Sequence, residues 1–162
     1  MVMNYGTRLQ MNTRIILGSL LLLVSFSLFA GDPELDRELR LAAIVDDVEA
    51  IEKLLARGAD VNSANKYGKT ALMMAAENGN LAATSALLSH GADVNRKTVA
   101  DCTALTLAAE NDEPEVTALL IERGADLSAR TRAGATALLL AARYGIDDMV
   151  EQLLFRGADP ND

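Results

Sequence analysis

The chain contains no tryptophan, one cysteine and one histidine among its 162 residues, and aromatic side chains make up only 4% of it. Each shortage excludes something. With Cys102 alone, no intramolecular disulfide can form, so the fold rests on packing even in an oxidising compartment. With His90 alone, no His/Cys cluster of metal-ligand spacing can be built, and His90 reads as an exposed helix-end residue. The shortage of large rings suits thin helical layers closed by Ala and Leu, which leave no wide central pocket. Positive charge is also short: 15 Lys and Arg stand against 23 Asp and Glu, a net charge of -8. That balance disfavours nucleic acid and anionic lipid as partners. No Ser/His/Asp arrangement, Gly-rich phosphate loop or carboxylate pair around a cavity is legible. The sequence therefore assigns no catalytic residue, no cofactor and no metal, and reads as a non-enzyme.

The first thirty residues differ from the rest. Arg8 and Arg14 are their only charges, and the run from Ile15 to Ala30 has none. Gly31-Asp32-Pro33-Glu34 then breaks the apolar stretch. A basic flank, an apolar core and a small residue before a polar boundary predict a secretory signal peptide over 1–30. Cleavage after Ala30 is one reading, and Ser25 with Ser27 offers another. An uncleaved anchor in the inner membrane, facing the periplasm, is the alternative, although the apolar span is short for a transmembrane helix. Removal of this segment leaves a net charge of -10.

What is abundant is repetition. Gly91-Ala92-Asp93-Val94 has near-copies beginning at Gly58, Gly124 and Gly157, each 33 residues after the last. Within the period, Thr70-Ala71-Leu72, Thr103-Ala104-Leu105 and Thr136-Ala137-Leu138 open Ala-rich segments. A Leu-Leu or Leu-Ile pair then precedes each glycine, at Leu54-Leu55, Leu87-Leu88, Leu120-Ile121 and Leu153-Leu154. A fixed period of this length with two short helices and a turn marks a solenoid.

Taken in order, the units span about 35–62, 63–95, 96–128 and 129–161, within a repeat domain of 31–162. The first reads as an N-terminal cap, with Arg37, Glu38 and Arg40 among its apolar positions. Its second helix, over 48–56, aligns Val48, Ile51, Leu54 and Leu55 on one stripe. In the second unit, Gly68 supplies a turn, Thr70 a helix cap, and a second helix runs over 81–89. The third unit is irregular. Asp101 and Asp112 stand where the other units have glycine, which predicts left-handed backbone and the least stable interior layer. Pro114 falls in the first turn of a helix, where its missing N–H costs little. The fourth unit is apolar for the end of a solenoid, with Leu139, Leu140 and Phe155 predicted to leave an exposed patch or to be covered.

These residues resemble the ankyrin-repeat family from about Leu35 to Asn161. The family pattern Gly-x-Thr-Pro-Leu-His-x-Ala-Ala is followed by Gly68-Lys69-Thr70-Ala71-Leu72-Met73-Met74-Ala75-Ala76. Alanine replaces the proline at 71, 104 and 137, and Met73, Thr106 or Leu139 replaces the histidine. The resemblance implies an all-α ankyrin-repeat solenoid of helix-turn-helix units with short β-turn tips. It also implies protein ligands held by turn tips and first-helix surfaces. Carried over by period, the protein-binding residues are Lys66, Tyr67, Lys69, Glu77, Asn78, Lys97, Val99, Glu110, Asn111, Arg130, Arg132, Arg143 and Tyr144. The basic members share one side, while Glu49, Glu52, Glu113, Glu115, Asp147, Asp148 and Glu151 fall on the second helices.

The expected partner is therefore an unidentified protein with an acidic segment. The resemblance to exported bacterial ankyrin-repeat proteins implies a periplasmic binding module, an accessory factor in oxidative-stress defence. The alternative role is an inhibitor or immunity protein for a secreted toxin enzyme. A membrane partner enters only if the N-terminal helix is retained.

Overall fold

The computed structural model describes residues 32–161. The predicted signal segment over 1–30 lies outside them. Eight helices follow in order: α1 (Pro33–Ile44), α2 (Val48–Ala56), α3 (Ala71–Glu77), α4 (Leu81–Ser89), α5 (Ala104–Glu110), α6 (Pro114–Glu122), α7 (Ala137–Tyr144) and α8 (Asp147–Phe155). They form four antiparallel pairs stacked side by side. The odd-numbered helices make an inner row, each packed on the next, and the even-numbered ones make an outer row. The fold is an all-α ankyrin-like solenoid.

The expected β-component at the tips requires correction. Among the described residues no β-strand forms, and the single β feature is an isolated antiparallel bridge between Ala64 and Thr70. The reason lies in the tip chemistry. In the second unit the Asn65 side chain accepts the N–H groups of Tyr67 and Lys69, at 2.9 and 3.1 Å. Thr98 does the same for Ala100 and Cys102 in the third. Side chains thus satisfy backbone donors that a longer ladder would otherwise need.

Local chemistry starts each inner helix. Thr70, Thr103 and Thr136 have extended backbone, and each hydroxyl accepts the N–H three residues on, at 3.3 Å. In the third unit Thr106 closes a reciprocal box by accepting the Thr103 N–H at 2.9 Å. The residue that departs from the family histidine thus becomes a second cap. Pro114 begins α6 as its first residue.

Left-handed backbone separates the helices of every pair. Asp46, Gly79, Asp112 and Gly145, one period apart, have φ of 56°, 69°, 59° and 70°. Asp101 is also left-handed, with φ of 60°. Gly68 is the position where a glycine is needed twice over. Its φ is +79°, and a Cβ would lie 2.9 Å from the Thr98 backbone of the following tip.

The core is a file of small and branched side chains. Leu39, Ala43, Ile51, Ala75, Ala83, Leu87, Ala108, Leu120, Ala141, Met149 and Leu153 are fully buried. In α2, Ile51 and Leu54 are buried and Val48 and Leu55 are half-buried, the face that the apolar stripe predicts. Alanine on facing helices allows close approach, so each unit covers its neighbour and none has an enclosed core of its own.

Polar links run between units in a repeating register. Asn62 accepts the Asp93 N–H at 2.8 Å, and Asn95 accepts the Asp126 N–H at 2.9 Å. At the N-terminal end, Asp36 takes the same role toward the Asp60 N–H, at 2.8 Å. Between the third and fourth units this link is missing. Ser128 stands in place of asparagine, and its hydroxyl turns back to Asp126 at 2.7 Å. That bond, with the Ser128 N–H, holds the Asp126 carboxyl below its ordinary range.

Candidate protein-binding surface

The tips are tied to one another by backbone. Val99 N–H donates to Tyr67 O, and Arg132 N–H donates to Ala100 O, both at 2.9 Å. These bonds fix successive tips in register above the inner helices. Between tips and helices lie three open depressions, of about 540, 290 and 430 Å³ in chain order.

The first depression joins Lys66 and Tyr67 to Leu41 and Met74. The second joins Tyr67, Lys69, Val99 and Arg132 above Leu107. In the third, Glu110, Arg132, Arg143 and Tyr144 surround Leu140. Tyr67 borders the first two and Arg132 the last two, so they form a continuous trough. Tyr67, Val99 and Tyr144 are 60, 59 and 53% exposed, far more than ordinary packing side chains. Large apolar or aromatic groups are thus left in water along one trough.

Charge in the trough is partly matched from within. Lys69 Nζ pairs with Glu77 at 2.5 Å. Arg132 lies 3.9 Å from Asp101 and donates to Val99 O. Lys66 Nζ sits 4.9 Å above the Tyr67 ring, a cation–π contact that holds the ring outward. Tyr144 donates its hydroxyl to Glu110 at 3.2 Å. Lys97 acts on the Asp126 carboxylate, whereas among the described residues Lys66 and Arg143 have no carboxylate partner.

The remaining candidates are placed differently. Asn78 and Asn111 are the C-caps of α3 and α5, and their amides donate to Met74 O and Leu107 O, at 2.7 and 2.9 Å. Glu77 serves Lys69. Arg130 donates to Gly134 O at 3.0 Å, and neither it nor Lys97 lines any of these three depressions. His90 is the exposed C-cap of α4, as expected, and it also meets Glu52 of the preceding unit at 2.7 Å. Sequence reasoning missed the floor of the trough. Met74, Leu107 and Leu140 are one period apart, and their signal was an apolar residue recurring before each Ala-Ala pair. Of the three apolar residues expected to be exposed or covered, Leu140 is 6% exposed, while Leu139 and Phe155 are 47 and 92% exposed.

The family model for ankyrin repeats, three copies in length, matches residues 39–131 and again 98–162. The chain belongs to the ankyrin-repeat family. Two ankyrin repeat proteins of Rickettsia felis, RF_p14 and RF_pd14, are each 44% identical to it over 48 residues. That stretch is 30% of this chain, and 76% and 73% of theirs respectively. The ankyrin-repeat stack is a non-enzymatic protein-interaction scaffold, and its chemistry lies in shape and contact. Among the described residues no group of three or more His, Cys, Asp or Glu side chains could hold a metal ion. Nor is any described helix long and apolar enough to cross a membrane.

Proposed function

We infer that this ankyrin-repeat stack binds an extended, acidic segment of another protein in the trough between its tips and inner helices. The observation that carries this reading is the line of exposed anchors, Tyr67, Val99 and Tyr144, over one continuous set of depressions. Lys66 and Arg143, which have no carboxylate partner among the described residues, supply positive charge at its two ends.

Export to the periplasm accompanies this reading, on the strength of the Arg8 and Arg14 flank and the charge-free run to Ala30. The native protein should then have a mass starting near Gly31 or near Leu28. An intact N-terminus in washed membranes contradicts it and supports the anchored form. The cellular role is that of an accessory factor in oxidative-stress defence, with inhibition of a secreted toxin enzyme as the alternative. Capture of a catalase-type enzyme or of a lipase-type toxin separates the two.

Binding to the captured partner tests the trough directly. Tyr67→Ala and Tyr144→Ala should each cost about 1–3 kcal/mol of affinity while circular dichroism stays unchanged. Lys66→Glu and Arg143→Glu should slow association, with an effect that fades as salt rises. Glu115→Lys on the outer row should leave affinity unaltered. The reverse pattern places the working surface on the outer helices and refutes the assignment.

A further inference from the structure

At either end of the described residues, 32–161, the stack presents positions that interior units bury more deeply. At the C-terminal end, Leu139 occupies the position of Met73 and Thr106, and Ala142 that of Ala76 and Ala109. The interior residues are at most 1% exposed, whereas Leu139 is 47% exposed and Ala142 also faces solvent. Val150 and Leu154 continue this face along α8. At the N-terminal end, an apolar groove of about 480 Å³ lies between α1 and α2, with Ala42, Ala50 and Leu54 in its lining. Ala42 and Leu54 keep 7 and 6% of their surface exposed and Ala50 is half-buried, whereas one period on Ala75, Ala83 and Leu87 have none exposed. The two ends are thus the two halves of one ordinary interface between units.

Their charges match as well. Within the stack, His90 of one unit meets Glu52 of the unit before it at 2.7 Å. Arg156, two periods after His90, donates to the backbone of Ala118, two periods after Glu52, at 3.4 Å. Continuing that register beyond the fourth unit sets Arg57 of another copy opposite Glu151. Gln152 donates to Pro114 O at 3.3 Å. The same continuation sets Lys53 of another copy opposite Asp147. These two pairs set a basic residue of the groove against an acidic one at the far end, although Glu38 and Asp47 also line the groove and Lys53 already pairs with Glu49.

We propose that the C-terminal face of one molecule docks on the N-terminal groove of a second copy, continuing the 33-residue register head to tail. The Asn-type tip link is not available to this contact, since Asp36 already holds the Asp60 N–H. The third and fourth units are joined without it too, so it is dispensable. Glu38 stands at the groove where interior units have the buried alanines 71, 104 and 137. Desolvating Glu38 weakens the contact. A head-to-tail contact leaves a free end at each addition, so association grows with concentration and has no fixed stoichiometry.

Sedimentation velocity of the purified native protein, from about 10 μM to about 1 mM, tests this. The wild-type chain should sediment faster as concentration rises. Glu151→Arg and Arg57→Glu should each shift that rise to roughly tenfold higher concentration, with helical content unchanged. An equimolar mixture of the two variants should recover association, because each then meets an opposite charge. A monomer at every concentration overturns the proposal, as do two variants that associate like wild type or a mixture that fails to recover. Weakening by Glu151→Arg alone assigns a symmetric contact between C-terminal faces, and also overturns it.

Discussion

Replacing Glu113 with Gln should stabilise the protein, and the reason is visible one period earlier. Asn80 begins α4, and its amide donates to Ala43 O and Ile44 O at the C-terminus of α1, both at 2.8 Å. Glu113 takes the same place before α6. Its carboxylate lies over Gly79, where any side-chain carbon would collide with it. There it approaches the C-terminal end of α3, whose carbonyls repel negative charge and which a carboxylate cannot serve as donor. Glu77 on α3 is engaged by Lys69, and among the described residues no cation pairs with Glu113. Burial raises the Glu113 carboxyl above its ordinary value, and Asp112 and Glu115 add to the rise.

A glutamine keeps the shape and restores the donor. One recovered hydrogen bond is worth about 1 kcal/mol, and relief at the helix end about 0.3–1 kcal/mol. The gain at neutral pH should be about 1–2 kcal/mol, a rise in Tm of roughly 3–8 °C. The pH dependence has a fixed sign. A carboxyl whose folded pKa is raised contributes most stability below its unfolded value and loses it as pH rises through the folded one. The advantage of Glu113→Gln should therefore be full at pH 7 and shrink toward about pH 4 as the wild-type side chain takes up its proton. Urea unfolding of both proteins at several pH values measures this. A difference that does not vary with pH, or a destabilised variant, refutes the reasoning.

Three further outcomes follow from the period. Asp112→Gly, at φ of 59° with no bond to its side chain, should stabilise by roughly 0.5–1 kcal/mol in urea unfolding. Asp46→Gly has nearly the same angle but should destabilise by about 1 kcal/mol, because the Asp46 carboxylate accepts the Ala83 N–H at 2.7 Å. Equal signs for this pair count against the account of both positions. Ser128→Asn should supply the missing link to the Asp159 N–H and raise stability by about 0.5–1.5 kcal/mol. In that variant the Asp126 carboxyl, read by carbon-13 titration, should move up as the Ser128 hydroxyl bond is lost; an unmoved carboxyl contradicts this.

Much of this architecture was legible because a period is redundant. Thr70 reads as a cap from its place before an Ala-rich run, and Thr103 and Thr136 repeat it. Asp101 and Asp112 read as left-handed because glycine stands at their equivalents. Asp46 escaped that reading, since the first unit lacks the turn glycine that would align it by eye. Charge pairing was not legible. Lys69 and Glu77 are eight residues apart, and Arg132 and Asp101 are in different units, so linear spacing presents all four as free. The trough floor was hidden for a similar reason. Leu140 looks like the apolar end of a chain until the fourth tip folds over it.

Site-resolved crosslinking in living cells tests the central claim most directly. A photo-crosslinking residue placed at Val99, in the middle of the trough, should form a covalent adduct with a single protein, joined through a segment rich in Asp and Glu. The same residue at Glu115, on the outer row, should form none. Adducts from position 115 and none from 99 would contradict the account.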